Sequence, residues 1–239
     1  MIQKPESWCI IGVNINMKIS EKGQEILEAG AKMFHVKHFS SVKEKFIIYY
    51  DELLVWNRRF NLTGIKNEKE IIIKHFLDSL SLVQFLDFDQ PLKVIDIGSG
   101  AGFPGIPIYI CFPNLQMYLN ESNGKKVSFL RHICKELFPD KPPVILHGRA
   151  EEVIRGSSNF AGFDVVMARA VGKAKTVANL AFLFLRPGGV FLAQYGPKEE
   201  VNELNKEIRK LNGHVEQTHK LVLPFSDYSR QVCIIKKNS

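Results

Sequence analysis

The chain has 239 residues, 45% of them hydrophobic, with 32 Lys and Arg against 25 Asp and Glu, a net charge of +7. That length and apolar content suit one large domain, or a domain with a smaller extension, around a core of ordinary size. No apolar run approaches the ~20 residues of a membrane helix, the N-terminus lacks a signal peptide's apolar core and cleavage site, and Cys9, Cys111, Cys134 and Cys233 are scattered without a C-x-x-C pair. These features argue against a membrane protein, a zinc site or other bound metal and a disulfide framework, and predict a cytoplasmic protein.

Residues 1 to about 22 show no clear period, and GQEILEAGAKMF reads as a short helix weakened by Gly30. From Ser41 the signal strengthens. Ser41 and Glu44 have capping-box spacing. Val42, Phe46, Tyr49, Leu53, Trp56 and Phe60 then recur every three or four residues, which predicts a helix. Arg58 and Arg59 near its end suit the helix dipole. NLTGI, at 61–65, reads as a loop. Asn67 and Glu70 are placed to cap a further helix with Ile71, His75, Phe76 and Leu80 on its apolar side. His75 and Asp78, three apart, would be neighbours there. A catalytic pair is one reading, and a buried histidine held by its carboxylate neighbour is the preferred one. Residues 1–91 thus read as an N-terminal extension, helical from about 41, and residues 92–239 as the main domain.

The main domain opens on KVIDIGSGAGFPGIP, residues 93–107. Strand, glycine turn and helix in that order build a ligand site at the carboxyl ends of an open α/β sheet. Gly100, Gly102 and Gly105 match the dinucleotide fingerprint. Asp96, two residues before Gly98 and followed by G-x-G-x-G, looks instead like motif I of the S-adenosylmethionine-dependent methyltransferases, the other class that uses such a loop. Beyond it, strand candidates lie at 116–121, 143–147, 163–168, 189–195, 214–222 and 230–236. Helix candidates lie between them at about 104–112, 124–138, 150–155, 173–185 and 198–211. Val127, Leu130, Cys134 and Leu137 form one stripe, so Cys134 reads as packing. Pro187-Gly188-Gly189 marks a turn before the fifth strand. The last two strands lack a helix between them and should pair as a hairpin, leaving one strand antiparallel. Alternating strands and helices predict an α/β fold with a seven-stranded, mostly parallel sheet. Charge separates the two parts. Residues 1–91 carry 12 cations and 12 anions, residues 92–239 carry 20 and 13. A basic excess confined to the half with the glycine loop suggests a polyanionic partner such as RNA, with Lys125 and Lys126 among its contacts.

NLTGI, HFLDSL, VIDIGSGAGFPGIPI, NGKKVSFL, GRAEE and FDVVMARA, in this order and spacing across about residues 46–236, closely resemble the RsmG (GidB) family of bacterial 16S rRNA guanine-N7 methyltransferases. The resemblance implies a class I, Rossmann-like methyltransferase fold with an N-terminal helical extension. It also implies S-adenosyl-L-methionine as methyl donor, and small-subunit ribosomal RNA or the 30S particle as partner. N7 of guanine 527 would be the methylated atom. Gly98, Gly100 and Phe103 would contact the cofactor in the first loop. Glu121, at the end of the second strand, would accept its ribose hydroxyls. Ala150 and Glu151 would meet the adenine edge. Arg169, ending the fourth strand, would be the catalytic residue and a cofactor contact. The chain departs from the family at Tyr195, where Lys is common and Lys198 is a substitute, at Ala168, where Ser is common, and at Glu121, where Asp is usual.

The residue types fit that chemistry. Guanine N7 has a free lone pair and no proton, so its methylation needs positioning and electrostatics but no covalent intermediate. The Pro-Cys nucleophile of cytosine-C5 enzymes is missing. Ala168-Arg169-Ala170 stands where exocyclic-amine enzymes carry Asn/Asp-Pro-Pro-aromatic. A methyltransferase on another RNA or a small molecule, and a nucleotide-binding or NAD-dependent protein without methyl transfer, are the alternatives that the residues leave open.

Overall fold

The computed structural model describes residues 18–156, 160–169, 173–196 and 201–239. Two long helices come first, α1 (Glu21–Met33) and α2 (Phe39–Phe60). Helical structure therefore begins well before residue 41. Gly30 belongs to α1 because a Cβ there would lie 2.4 Å from a Leu77 methyl. The glycine that weakens the helix by propensity is what lets it pack closely. The capping box at Ser41 does not form. His38, at φ 55°, starts α2, and Ser41 Oγ donates to the His38 carbonyl at 2.8 Å.

A helical run over 68–84 follows. It comprises α3 (Glu68–Ile71), a π-helical turn (Ile72–Leu77), α4 (Asp78–Leu80) and a 3₁₀ turn (Ser81–Gln84). Asn67 caps it, accepting from the Glu70 amide at 3.1 Å as its spacing predicts.

Then strands and helices alternate: β1 (Lys93–Ile97), α5 (Gly105–Cys111), β2 (Gln116–Glu121), α6 (Gly124–Leu137), β3 (Val144–His147), α7 (Ala150–Gly156), β4 (Phe163–Arg169), α8 (Ala174–Phe184), β5 (Leu185–Tyr195), α9 (Val201–Lys210), β6 (Gly213–Val222) and β7 (Ser229–Lys237). They form one seven-stranded sheet in the order β3-β2-β1-β4-β5-β7-β6. β7 is antiparallel to both of its neighbours, and β1 to β5 pair in parallel. The expected hairpin is present, with its second strand inserted beside β5. Pro187-Gly188-Gly189 does not precede β5 but bulges within it. Phe163 pairs with Leu185 and Val165 with Val190, so the surplus residues are looped out between two ladder positions.

The strands alternate as a sheet buried on both faces must. Val94, Leu119, Met167, Leu192 and Val232 join one buried cluster with α1, α2, the 68–84 run, α5 and α6. Ile95, Val166, Ala193 and Cys233 join a second cluster with α8 and α9. Cys134 is fully packed in the first, and burial pushes its thiol up to about 12. One consequence positions the site. β1, β2, β4 and β5 end at one edge of the sheet, and antiparallel β7 begins there, with Gln231 opposite Tyr195. Residues 98, 121, 169, 195 and 230, far apart in sequence, therefore converge.

Candidate active site

The loop after β1 is held by its own backbone and by two acids. The Gly102 and Phe103 amides donate to the Ser99 carbonyl at 2.8 Å each, and the Ser99 amide donates to the Asn120 carbonyl at 2.9 Å. Gly98, Gly100 and Gly102 have φ of 68°, 61° and 98°, a region costly to residues with a Cβ. At Gly102 space is also closed, since a Cβ would come within 2.4 Å of Ile106 and 2.6 Å of the Tyr49 hydroxyl. Glu121 ends β2 nearly buried. Its carboxylate accepts from the Gly100 amide at 2.9 Å and the Asn123 amide at 2.7 Å. Asp96 lies beneath the loop with no exposure. One oxygen accepts from the Gly105 amide at 2.8 Å, and the other has no hydrogen-bond partner. Burial pushes its carboxyl up to about 7, against the pull of the Gly105 amide.

The other half of the site is built from side chains. Asp78 is 1% exposed and receives four hydrogen bonds. Arg169 NH1 donates at 3.1 Å, Arg230 Nε at 2.9 and 3.1 Å, and Gln194 Nε2 at 2.8 Å. Burial pushes this carboxyl up, and the two guanidiniums pull against that shift. Arg169 NH1 also donates to the Lys74 carbonyl at 2.9 Å, within the π-helical turn. Wide turns of this kind concentrate at functional sites. Among the hydrogen bonds of the described residues His75 and Asp78 do not bond each other, and each contacts the Arg169 guanidinium instead. His75 is therefore not held by Asp78 as its spacing suggests. Its Nε2 lies 2.8 Å from Thr63 Oγ1 and its Nδ1 3.4 Å from Arg169 NH2. Burial, reinforced by the Arg169 charge, pulls the imidazole down to about 3, so it is neutral. Facing a guanidinium, Nδ1 acts as acceptor, which assigns the proton to Nε2. The ring stacks on Phe103 at 4.7 Å, and Phe103 stacks in turn on Tyr49 at 5.1 Å.

Between the two halves lies a cavity of about 600 Å³, within the range of cofactor and ligand sites. Gly98, Gly100, Phe103, Glu121 and Arg169 all line it. Ala150 and Glu151 do not. They begin α7 after β3, with Ala150 buried against the second cluster. Tyr195 lines the cavity, and Lys198, its proposed substitute, lies outside the described residues, as does Ala170. Lys126 reaches the cavity beside Gly100, whereas Lys125 is exposed. Lys74, Asp78, Gln194 and Arg230 also line it. Of these four only Asp78 is weighed in sequence, as half of a catalytic pair with His75 that is not the preferred reading, although HFLDSL and the β7 strand contain Asp78 and Arg230. One signal was present: Asp78 stands among Phe76, Leu77, Leu80 and Leu82, and a carboxylate in such a run needs buried cations. Lys74, Lys126, Arg169 and Arg230 against Asp78 and Glu121 leave the lining cationic, which favours an anionic ligand.

Residues 42–233 match the family model of rRNA small subunit methyltransferase G. The chain belongs to that family. Proteins named ribosomal RNA small subunit methyltransferase G are similar along nearly the whole length. That of Caldanaerobacter subterraneus is 40% identical over 227 residues, 92% of each chain. That of Alkaliphilus oremlandii is 37% identical over 216 residues, 90% of each. Among solved structures, a Synechocystis magnesium protoporphyrin IX methyltransferase superposes with a TM-score of 0.59 at 16% identity, covering 81% of this chain and 97% of that one. A Pyrococcus furiosus methyltransferase does so at 0.56 and 17%, covering 84% and 100%. At such identities these two establish the fold, a class I methyltransferase sheet. Among the described residues no helix is long and apolar enough to cross a membrane.

Proposed function

We propose that this protein transfers a methyl group from S-adenosylmethionine to N7 of a guanine in small-subunit ribosomal RNA, the guanine 527 position that the family resemblance indicates. The observation that carries this reading is the single cavity joining the glycine loop and Glu121 to a cationic wall centred on Arg169, in a chain of the rRNA methyltransferase G family.

The residues fit the donor. The loop around Gly98, Gly100 and Gly102 presents bare backbone, and Phe103 offers an apolar edge. Glu121 uses one lone pair of each oxygen on backbone amides, so both oxygens can still accept ribose hydroxyls. Ala150 and Glu151 begin α7 outside this cavity lining, and their assignment to the adenine edge rests on the family resemblance alone. Bound there, the donor supplies an electrophilic methyl group on a positive sulfur. Residues 92–239 act as the transferase domain, and the 1–91 extension lends Lys74, His75 and Asp78 to its cavity wall.

The protein's own part is positional. N7 needs no deprotonation, and His75, neutral and bonded to Thr63, is not called on for proton transfer. Arg169, its NH1 fixed by Asp78 and the Lys74 carbonyl, aligns the target nucleotide or the donor's carboxylate with its remaining donors. Positive charge moves from sulfur to purine without changing in total. A cationic wall that holds phosphates therefore opposes the transition state little. With purified protein and tritiated donor, small-subunit rRNA or 30S particles should yield labelled 7-methylguanosine on digestion. Label in transfer RNA instead, or on another atom, would contradict the reading.

A further inference from the structure

The loop joining β6 to β7, residues 223–228, shows two aromatic side chains to solvent, next to Val222 at the end of β6. Val222, Phe225 and Tyr228 are 60%, 45% and 38% exposed. The loop itself is firmly built. Leu223 and Pro224 are buried, the Leu223 amide donates to the Tyr228 carbonyl at 2.8 Å, and Ser226 Oγ bridges the Leu223 carbonyl and the Tyr228 amide at 3.0 and 3.3 Å. Phe225 has φ 61°, a strained setting for an aromatic residue. Core packing therefore does not account for the placement of Phe225, which is both strained and exposed.

Tyr228 ties this loop to the cavity. Its hydroxyl donates to Glu70 at 2.9 Å. Lys74 Nζ, itself 2.6 Å from Glu70, sits 3.8 Å from the ring centroid, and Lys74 lines the cavity. Two residues on, Arg230 lines it as well. The ring is thus held at its hydroxyl by Glu70 and on one face by Lys74, a cation that borders the cavity, with Arg230 two residues along the chain. A fixed, partly exposed aromatic ring among cations suits a nucleobase next to a phosphate. Proteins that read single-stranded RNA stack splayed bases on such rings.

We infer that Tyr228 is a stacking platform for a nucleotide adjacent to the methylated guanine, with Phe225 extending the surface outward. This rests on the rRNA reading above and adds to it a defined RNA contact that motif matching does not supply. Its logic is that a guanine must leave its stack to enter the cavity, and a neighbouring base that stacks on protein holds the strand open.

The test is steady-state methylation by the full-length protein, varying 30S particles and donor separately, for wild type, Tyr228→Ala, Tyr228→Phe and Tyr228→Trp, with donor affinity measured by calorimetry. Tyr228→Ala should raise KM for the particle roughly 5- to 150-fold, the equivalent of base–aromatic stacking at ~1–3 kcal/mol, and leave donor affinity unchanged. Phe and Trp, which keep a ring but lose the bond to Glu70, should recover most of the loss. An unchanged KM in the Ala variant overturns the inference. So does a loss that Phe and Trp fail to recover, because it would trace to the hydroxyl's structural bond. The wild-type arm separates the two levels, since no methylation of 30S rRNA there would sink the substrate reading itself.

Discussion

The two halves of the cavity each rest on a buried aspartate, and the two are solved in opposite ways. Under the glycine loop, Asp96 has one backbone amide and an oxygen without a hydrogen-bond partner. Burial raises both carboxyls, that of Asp96 to about 7 against the pull of the Gly105 amide and that of Asp78 against the pull of two guanidiniums. Under the cationic wall, Asp78 has two guanidiniums and an amide. The first half is made of backbone and shapes a cradle. The second is made of charge and fixes side chains. Burial alone does not define a carboxylate's role. What it is bonded to decides whether it is a packing element or an anchor.

The largest effect that would sharpen the contrast is at Asp78. Removing one partner of a buried ionic cluster costs ~3–5 kcal/mol, because the remaining charges stay buried. Asp78→Asn should therefore lower folding stability by about that amount in urea titrations. A loss under ~1 kcal/mol would mean that the guanidiniums find other partners and that Asp78 is no anchor.

At Asp96 the expected effect of substitution depends on pH. Its folded pKa, about 7, lies above the unfolded value of about 4, so the folded state holds the extra proton between these values. The proton-linked stability is complete below about pH 4 and is lost as pH rises to about 7. Asp96→Asn cannot ionise. Its stability relative to wild type should improve by roughly 2–3 kcal/mol between pH 5 and pH 8. A pH-independent difference would show that Asp96 stays ionised and that the contrast between the halves is false.

Arg169 reads out the function of the charged half. Loss of a charge-assisted hydrogen bond in the site is worth ~1.5–3 kcal/mol, roughly 10- to 150-fold in kcat/KM. Arg169→Ala should show that loss in methylation. Arg169→Lys should restore little, because an ammonium cannot donate to Asp78, the Lys74 carbonyl and a ligand in one plane. Rate curves against donor and against RNA would show which partner the guanidinium holds. Full activity of the Ala variant would remove it from the site.

The same division governs what was legible in the sequence. The glycine half could be read, because its parts are local. An apolar run, a turn that demands glycine and an acid at the next strand end follow in order, and Gly98, Gly100, Phe103 and Glu121 do meet around one cavity. The seven strands and the closing hairpin that leaves β7 antiparallel were legible too, whereas the order of the strands, with β7 inserted beside β5, was not. The charged half was not, because residues 74–78, 194 and 230 are brought together only by the sheet. Helical spacing even misdirected the reading, since it assumed 3.6 residues per turn where Ile72–Leu77 form a π-helical turn, and His75 bonds to Thr63 and Arg169 rather than to Asp78. Local rules failed likewise at Ser41, displaced as cap by His38, and at Gly30, where packing against Leu77 outweighs helix propensity.

The most direct measurement is to map N7-methylguanine in small-subunit rRNA from cells lacking this protein, complemented with wild type or with Arg169→Ala. The account predicts one N7-methylguanine lost in the deletion, restored by wild type and left largely unmethylated with Arg169→Ala. The same methylation pattern in cells with and without the protein would contradict it.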